Sequence, residues 1–122
     1  MNALQHTIVH FELPADNPES LKKFYEEAFG WEIQKVEGPI EYWLIATGPP
    51  GESVGGGMYR KDSPEQKPLN YVGVESVDEY SKKIQGLGGK IIRKEEVPGE
   101  GRSAFVLDPE GNFFALWEST KE

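Results

Sequence analysis

The same order of predicted elements occurs twice in this chain, and this repetition restricts the possible folds more than any other feature. Each half is predicted to run strand, helix, strand, strand, strand. "FGWEI" (29–33) aligns with "LGGKI" (87–91), and the same offset sets "GMY" (57–59) against "ALW" (115–117). An internal duplication explains such a repeat. Neither half has enough sequence to bury its own sheet, so we expect the two halves to pack together.

The first predicted helix lies in "ADNPESLKKFYEEAFGW". Asp16 or Asn17 can cap it, Pro18 suits its first turn, and Gly30 can end it in a left-handed conformation. Its apolar residues recur at helical spacing and predict one buried stripe. They are Leu21, Phe24, Tyr25, Ala28 and Phe29.

The second predicted helix spans residues 76–89. Ser76 and Glu79 have the spacing of a capping box. Val77, Tyr80 and Ile84 follow at helical spacing and form its predicted buried stripe.

Runs rich in β-branched and aromatic residues predict eight strands. They cover residues 7–14, 31–37, 41–48, 54–61, 69–76, 90–97, 103–108 and 113–119. The fold class is therefore α+β, with two βαβββ modules in a single domain. Module one is predicted at about 5–61, a polar linker with two prolines at 62–68, and module two at about 69–119.

Composition excludes several classes of function. The chain has 122 residues and no cysteine, which excludes disulfides, thiolate nucleophiles and iron–sulfur clusters. Its net charge of −8 argues against nucleic acid and anionic membranes as partners. No stretch approaches the roughly 20 apolar residues of a membrane span, and no signal peptide is recognisable. We therefore expect a cytoplasmic protein.

The motifs "HFELPADNPESLKKFYEEAFGWE", "GLGGKI" and "DPEGNFFAL", together with the βαβββ repeat, resemble the vicinal oxygen chelate superfamily. That superfamily includes glyoxalase I, extradiol dioxygenases, bleomycin-resistance proteins and methylmalonyl-CoA epimerase. The resemblance covers about residues 7–119. It implies that the sheets are mixed and curve around a ligand-binding cavity, with the helices outside, and that the protein is a homodimer.

The resemblance also implies positions for metal ligands on the first and last strands of each module. They match His10, Gly57, Ala115 and either Tyr71 or, less well, Asn70. A catalytic divalent ion needs about three protein ligands and one open position. Glycine and alanine supply no donor. We therefore expect that the family's metal is absent and that no other cofactor replaces it.

An atypical ion is the alternative. His6, Ile8, His10 and Glu12 alternate onto one strand face, and Glu75 on a second strand can approach them. His10 can instead hydrogen-bond to Tyr71, Glu12 or water. It can also act with Glu12 as a metal-free acid and base.

The predicted ligand site has aromatic walls, small residues that leave room, and few polar groups, which suits a small organic molecule. Phe113 and Trp117 can equally belong to the core, and "GGG" (55–57) can mark close packing rather than pocket space. Alternation puts Tyr42 and Leu44 on one side of their strand and Trp43 on the other, without saying which side faces inward. The predicted ligand-binding residues are His10, Tyr59, Tyr71, Phe113, Ala115 and Trp117.

Three functions fit this sequence. The first and favoured one is metal-independent binding of a small molecule, as in bleomycin-resistance proteins. The second is a glyoxalase-like or isomerase-like enzyme that uses His10 and Glu12 with no ion or an atypical one. The third is a module that binds another protein chain.

Overall fold

The computed structural model describes residues 5–120, and these residues form eight strands and two helices. In chain order they are β1 (Ile8–Ala15), α1 (Pro18–Phe29), β2 (Glu32–Lys35), β3 (Tyr42–Ala46), β4 (Gly55–Arg60), β5 (Leu69–Gly73), α2 (Val77–Gly86), β6 (Lys90–Val97), β7 (Gly101–Leu107) and β8 (Phe113–Ser119). The predicted α+β class and the repeated βαβββ order are confirmed.

The contacts between residues divide the chain into two units. Residues 10–68 form the first module, and residues 5–9 with 69–120 form the second module. The strand order is β2-β3-β4-β1 in the first and β5-β8-β7-β6 in the second. β1 runs parallel to β4, and β5 runs parallel to β8, whereas the other pairs within each module are antiparallel. The sheets of the two modules thus have equivalent strand orders and strand directions.

Capping side chains fix the start of both helices. Asn17, rather than Asp16, caps α1 by accepting a hydrogen bond from the Ser20 backbone N–H at 3.1 Å. Ser76 caps α2 by accepting from the Glu79 N–H. Gly30 ends α1 with φ 73°, a left-handed conformation that glycine adopts without a Cβ clash. Neither helix in residues 5–120 is long and apolar enough to cross a lipid bilayer.

The core of the first module lies between α1 and one face of its sheet. Trp43 and Met58 are buried there, and Phe11 and Tyr25 pack against them. The predicted apolar stripe of α1 is only partly buried. Leu21 and Tyr25 pack against the core, but Phe24, Ala28 and Phe29 are exposed. The helix therefore contacts the sheet along a narrower strip than its apolar face.

The core of the second module lies between α2 and the corresponding sheet face. Its fully buried residues include Val77, Val106 and Leu116. Tyr80 and Ile84 of α2 pack against them, as the helical spacing predicts. In both modules the opposite sheet face carries the candidate functional residues.

Candidate functional site

His10, Glu12 and Tyr42 form a hydrogen-bonded cluster in the first module, on the sheet face opposite α1. Alternation along β1 puts His10 and Glu12 on this face, and their Nε2 and Oε2 atoms lie 3.0 Å apart. Tyr42 Oη donates its proton to Glu12 Oε2 and lies 3.3 Å from His10 Nε2. In the tautomer that carries its proton on Nε2, His10 donates to Glu12 Oε2, and the Tyr42 oxygen is a second acceptor within 3.3 Å. The side chains of His10 and Glu12 are 30% and 18% exposed, so the cluster is accessible to a small molecule.

Gly57 lies directly beneath the Tyr42 hydroxyl. In the register of β4 it pairs with Glu12 on one side and Leu44 on the other. A Cβ added at Gly57 would coincide with the Tyr42 hydroxyl group. This glycine serves close packing: without it Tyr42 could not cross β4 to reach Glu12 on β1.

The family resemblance implies that Tyr71 is the counterpart of His10 in the second module, and the strand register corrects this equivalence. Glu12 pairs with Gly57, and Tyr71 pairs with Ala115, in the same strand relationship. The counterpart of Tyr71 in the first module is therefore Glu12, not His10. The parallel pairing of β1 with β4 decides this, and a sequence offset cannot show it.

In the second module, Ala115 belongs to a row of residues that pair in register across four adjacent strands. Arg93, Phe105, Ala115 and Tyr71 are successive register partners and share one face. The rings of Tyr71 and Phe105 meet edge to face, 6.2 Å apart at 77°. Ala115 lies between them in register and is fully buried. On the outer side, the guanidinium carbon of Arg93 lies 4.5 Å from the Phe105 ring centroid.

Three further residues are predicted to bind the ligand: Tyr59 in the first module, and Trp117 and Phe113 in the second. Tyr59 pairs with Tyr42 across β3 and β4, and burial followed by the charge of Glu12 raises its pKa. It is therefore a neutral hydrogen-bond donor at neutral pH. Trp117 is half-buried, with its indole over Gly101. Phe113 is 59% exposed, so it is not a core residue.

A second histidine cluster lies at the edge of the second module. His6 Nε2 is 3.0 Å from Glu75 Oε1 and 2.7 Å from the Tyr80 hydroxyl. His6 has φ 68°, which is uncommon outside glycine, and its backbone N–H donates to the Gly73 carbonyl. The two histidines thus belong to separate hydrogen-bonded groups.

The residues at the family's metal positions do not fit a divalent ion. Gly57 and Ala115 supply no donor, and aromatic side chains occupy the space beside both. Tyr71 would supply only a phenol, whose usual pKa near 10 makes it a poor ligand. Across residues 5–120, no three histidine, aspartate or glutamate side chains converge on one point. One imidazole with one carboxylate falls short of the three ligands that such a site needs.

A comparison with known families agrees with the repeated βαβββ order. The model of the Glyoxalase/Bleomycin resistance protein/Dioxygenase superfamily matches residues 7–116. The chain belongs to this superfamily. The resemblance read from the sequence motifs is thereby confirmed.

One curated relative within reach of sequence comparison is the anthracycline biosynthesis protein DnrV of Streptomyces peucetius. It is 25% identical over 123 aligned residues, which cover 88% of this chain and 45% of that protein. The chain therefore spans less than half the length of this relative.

Several solved structures share the fold of this chain. Methylmalonyl-CoA epimerase from Mycobacterium tuberculosis superposes with a TM-score of 0.72 at 14% identity, over 98% of this chain and 93% of that one. A hypothetical protein from Bacillus halodurans C-125 gives 0.73 at 13% identity, over 95% and 96%. A variant epimerase from Streptomyces coelicolor in complex with 2-nitronate-propionyl-CoA gives 0.69 at 14%, over 97% and 99%. At these identities the likeness shows the fold alone.

Sequence reasoning did not assign Tyr42, Phe105 or Arg93 to the site. For Tyr42, the sequence did not show which side of β3 faces α1. The structure shows it, because the indole of Trp43 donates a hydrogen bond to Glu19 near the start of α1. For Phe105 and Arg93 the missing signal was the register of β6 and β7, which shifts between Ile91 and Arg93. An alternating pattern cannot show such a shift.

Proposed function

We propose that this chain binds a small organic molecule without a metal ion. The observation that carries the proposal is the position of the Tyr42 hydroxyl. It fills the space above Gly57, where a metal-binding side chain would have to stand, and it joins His10 and Glu12 in one polar cluster. Such a cluster offers both donors and acceptors to a polar group of a ligand.

The aromatic residues support a ligand with flat, apolar parts. Tyr71, Phe105 and Trp117 share the sheet face of the second module, and few polar side chains interrupt them. Sites for organic molecules combine apolar walls with a small number of polar groups. The name of the Streptomyces relative, which refers to anthracycline biosynthesis, is in keeping with a flat molecule. The net charge of −8 disfavours a polyanion such as a CoA thioester.

Two measurements test the proposal. Chelator-treated protein is first titrated calorimetrically with Ni²⁺, Zn²⁺, Mn²⁺ and, without oxygen, Fe²⁺. We expect no stoichiometric binding tighter than about micromolar, or about −8 kcal/mol. A panel of planar organic molecules is then screened by ligand-detected NMR, and we expect some of them to bind.

The two histidines provide a matched control. His10→Ala and Tyr42→Phe should each weaken a bound molecule about tenfold, which corresponds to about 1.4 kcal/mol. His6→Ala removes the other histidine and should leave binding unchanged. Tight metal binding that His10→Ala abolishes would overturn the proposal, and so would the failure of every organic molecule to bind.

Acid–base catalysis is the second candidate, and the contact of His10 with Glu12 favours it. An imidazole held by a carboxylate can exchange a proton with a carbon next to a carbonyl group. The test is incubation with 2-methyl-branched acyl thioesters in D2O, with loss of the α-proton signal followed by NMR. Exchange that both His10→Ala and Glu12→Gln abolish would establish turnover, and its absence would leave binding alone. The homodimer and the cytoplasmic location stay predictions.

A further inference from the structure

We infer that the Arg93–Phe105 pair is an anion-recognition subsite, and that the ligand carries a carboxylate on a planar aromatic skeleton. This inference rests on the proposed binding function and deepens it by naming the class of ligand. The subsite lies entirely within the second module, on the face that carries Tyr71, Ala115 and Trp117.

The Arg93 guanidinium lies over the ring of Phe105. Arg93 and Phe105 are register partners on β6 and β7, and the Arg93 Cζ lies 4.5 Å from the ring centroid. A guanidinium that packs its flat side on an aromatic ring keeps the N–H groups around its edge free to donate. Edge-on donors in a fixed fork match the two oxygens of a carboxylate.

The terminal nitrogens of Arg93 are available for such a contact. Its Nε donates to Glu95 Oε2 at 2.9 Å. Among residues 5–120, its Nη1 and Nη2 have no hydrogen-bond partner, and the ion pair of the guanidinium is with Glu95. Arg102 differs, because its guanidinium is committed to Asp78 and Glu96. Of these two arginines, Arg93 is the one that stacks on a ring and keeps its two outer nitrogens open.

The aromatic residues beside Arg93 would bind the ring system of the ligand. The half-buried rings of Phe105 and Tyr71 meet edge to face beside the buried Ala115, so an apolar surface begins at the point where the guanidinium ends. A flat ring system can lie along this surface while its acid group reaches Arg93. Glu95 opposes such a ligand, since its carboxylate already interacts with Arg93. This opposition predicts a variant with stronger binding.

Three compounds with one carbon skeleton separate charge from shape: 2-naphthoate, 2-naphthamide and decahydro-2-naphthoate. Binding is measured by NMR titration near pH 7, with the side-chain Nε–H signal of Arg93 as a local readout. We expect 2-naphthoate to bind at least about tenfold more tightly than either of the others, a difference of about 1.4 kcal/mol. It should also shift the Arg93 signal.

Variants assign that preference to the subsite. Arg93→Gln should remove the preference for the acid over the amide, while the control Arg102→Gln keeps it. Glu95→Gln should tighten 2-naphthoate binding. Phe105→Leu should weaken both aromatic compounds and also reduce the preference for the acid, because it removes the ring on which Arg93 packs. Arg93 is 61% exposed, so its replacement leaves the core intact, and Arg93→Lys provides a second variant that keeps the charge without the planar stack.

The outcomes distinguish this inference from the proposed function. Equal binding of acid and amide, or a preference that survives Arg93→Gln, overturns the anion subsite and leaves small-molecule binding standing. The same holds if other organic molecules bind at His10 and Tyr42 but no naphthyl compound does. If nothing binds at all, both the subsite and the proposed function are wrong.

Discussion

The indole Nε1 of Trp43 donates a hydrogen bond to Glu19 Oε2 at 3.2 Å. This bond ties β3 to the beginning of α1 and fixes which face of the strand enters the core. Because side chains alternate along a strand, Tyr42 and Leu44 must then lie on the opposite face. The position of Tyr42 in the polar cluster thus depends on its neighbour in sequence.

Two adjacent residues of β3 test this orientation. Ile45 is 3% exposed on the helix side, whereas Leu44 is 53% exposed on the other. We expect Ile45→Ala to lower the free energy of unfolding by about 2–5 kcal/mol, because it leaves a cavity in a packed core. Leu44→Ala should lower it by less than about 1 kcal/mol. Urea unfolding measures both, and equal losses would contradict the orientation.

The contact of Tyr42 with Gly57 predicts a strong energetic coupling. Gly57→Ala alone should cost about 1–3 kcal/mol of stability, because the new methyl group meets the Tyr42 hydroxyl. The same substitution in a Tyr42→Ala background should cost much less, which a double-mutant cycle by urea unfolding would measure. Gly86→Ala is the control, since no atom lies within 4 Å of the added methyl. Additive effects of the two substitutions would refute the contact.

Because the apolar stripe of α1 is only partly buried, we expect alanine substitutions at two of its aromatic residues to lower stability by different amounts. Tyr25 is half-buried and stacks on Trp31 at 4.9 Å and 9°, whereas Phe29 is 65% exposed. We expect Tyr25→Ala to cost about 2 kcal/mol or more and Phe29→Ala less than about 1 kcal/mol. Thermal unfolding monitored by circular dichroism would rank them. A larger loss for Phe29 would place the buried strip of α1 on its other side.

Asp78 predicts a pH dependence of stability. Hydrogen bonds from Lys94 and Arg102 lower its pKa from 3.8 to about 2. A carboxyl group with a lowered pKa in the folded state stabilises the protein above its unfolded pKa, and this contribution is lost as pH falls through the folded pKa. The difference in stability between the wild type and Asp78→Asn should therefore be constant above about pH 4 and shrink between about pH 4 and about pH 2.

Urea unfolding of both proteins across this range measures that difference. Removing Lys94 and Arg102 together, as Lys94→Gln/Arg102→Gln, should abolish its pH dependence. A difference that grows on acidification would have the wrong sign for these ion pairs.

Much of the fold is predictable because its signals are local. Asn17 and Gly30 bound α1 through contacts within one turn, and β6 and β8 are observed at the residues that their composition predicts. The α1 stripe was overestimated for a physical reason. Helical spacing identifies every residue on the apolar side, but the contact with the sheet covers only a strip, and Phe24 and Phe29 lie beyond it.

The site was less predictable because it depends on pairing between distant strands. Alternation shows that Tyr42 and Trp43 point in opposite directions, but only packing against α1 decides which one is buried. The pairing of Glu12 with Gly57, and of Arg93 with Phe105, follows from strand register. Neither pairing has a signature in any single stretch of the chain.

The arrangement of Tyr42 over Gly57 also limits how the protein can change by mutation. An acidic residue at position 57 would first collide with the tyrosine ring. A shorter residue at position 42 would first deprive Glu12 and His10 of a hydroxyl partner. Whichever of the two substitutions comes first, the single variant loses a packing or hydrogen-bond contact. A carboxylate at position 57 therefore requires two substitutions, the first of which is unfavourable. Tyr42 and Gly57, on adjacent strands, thereby make a metal-binding carboxylate at this position difficult to acquire by mutation.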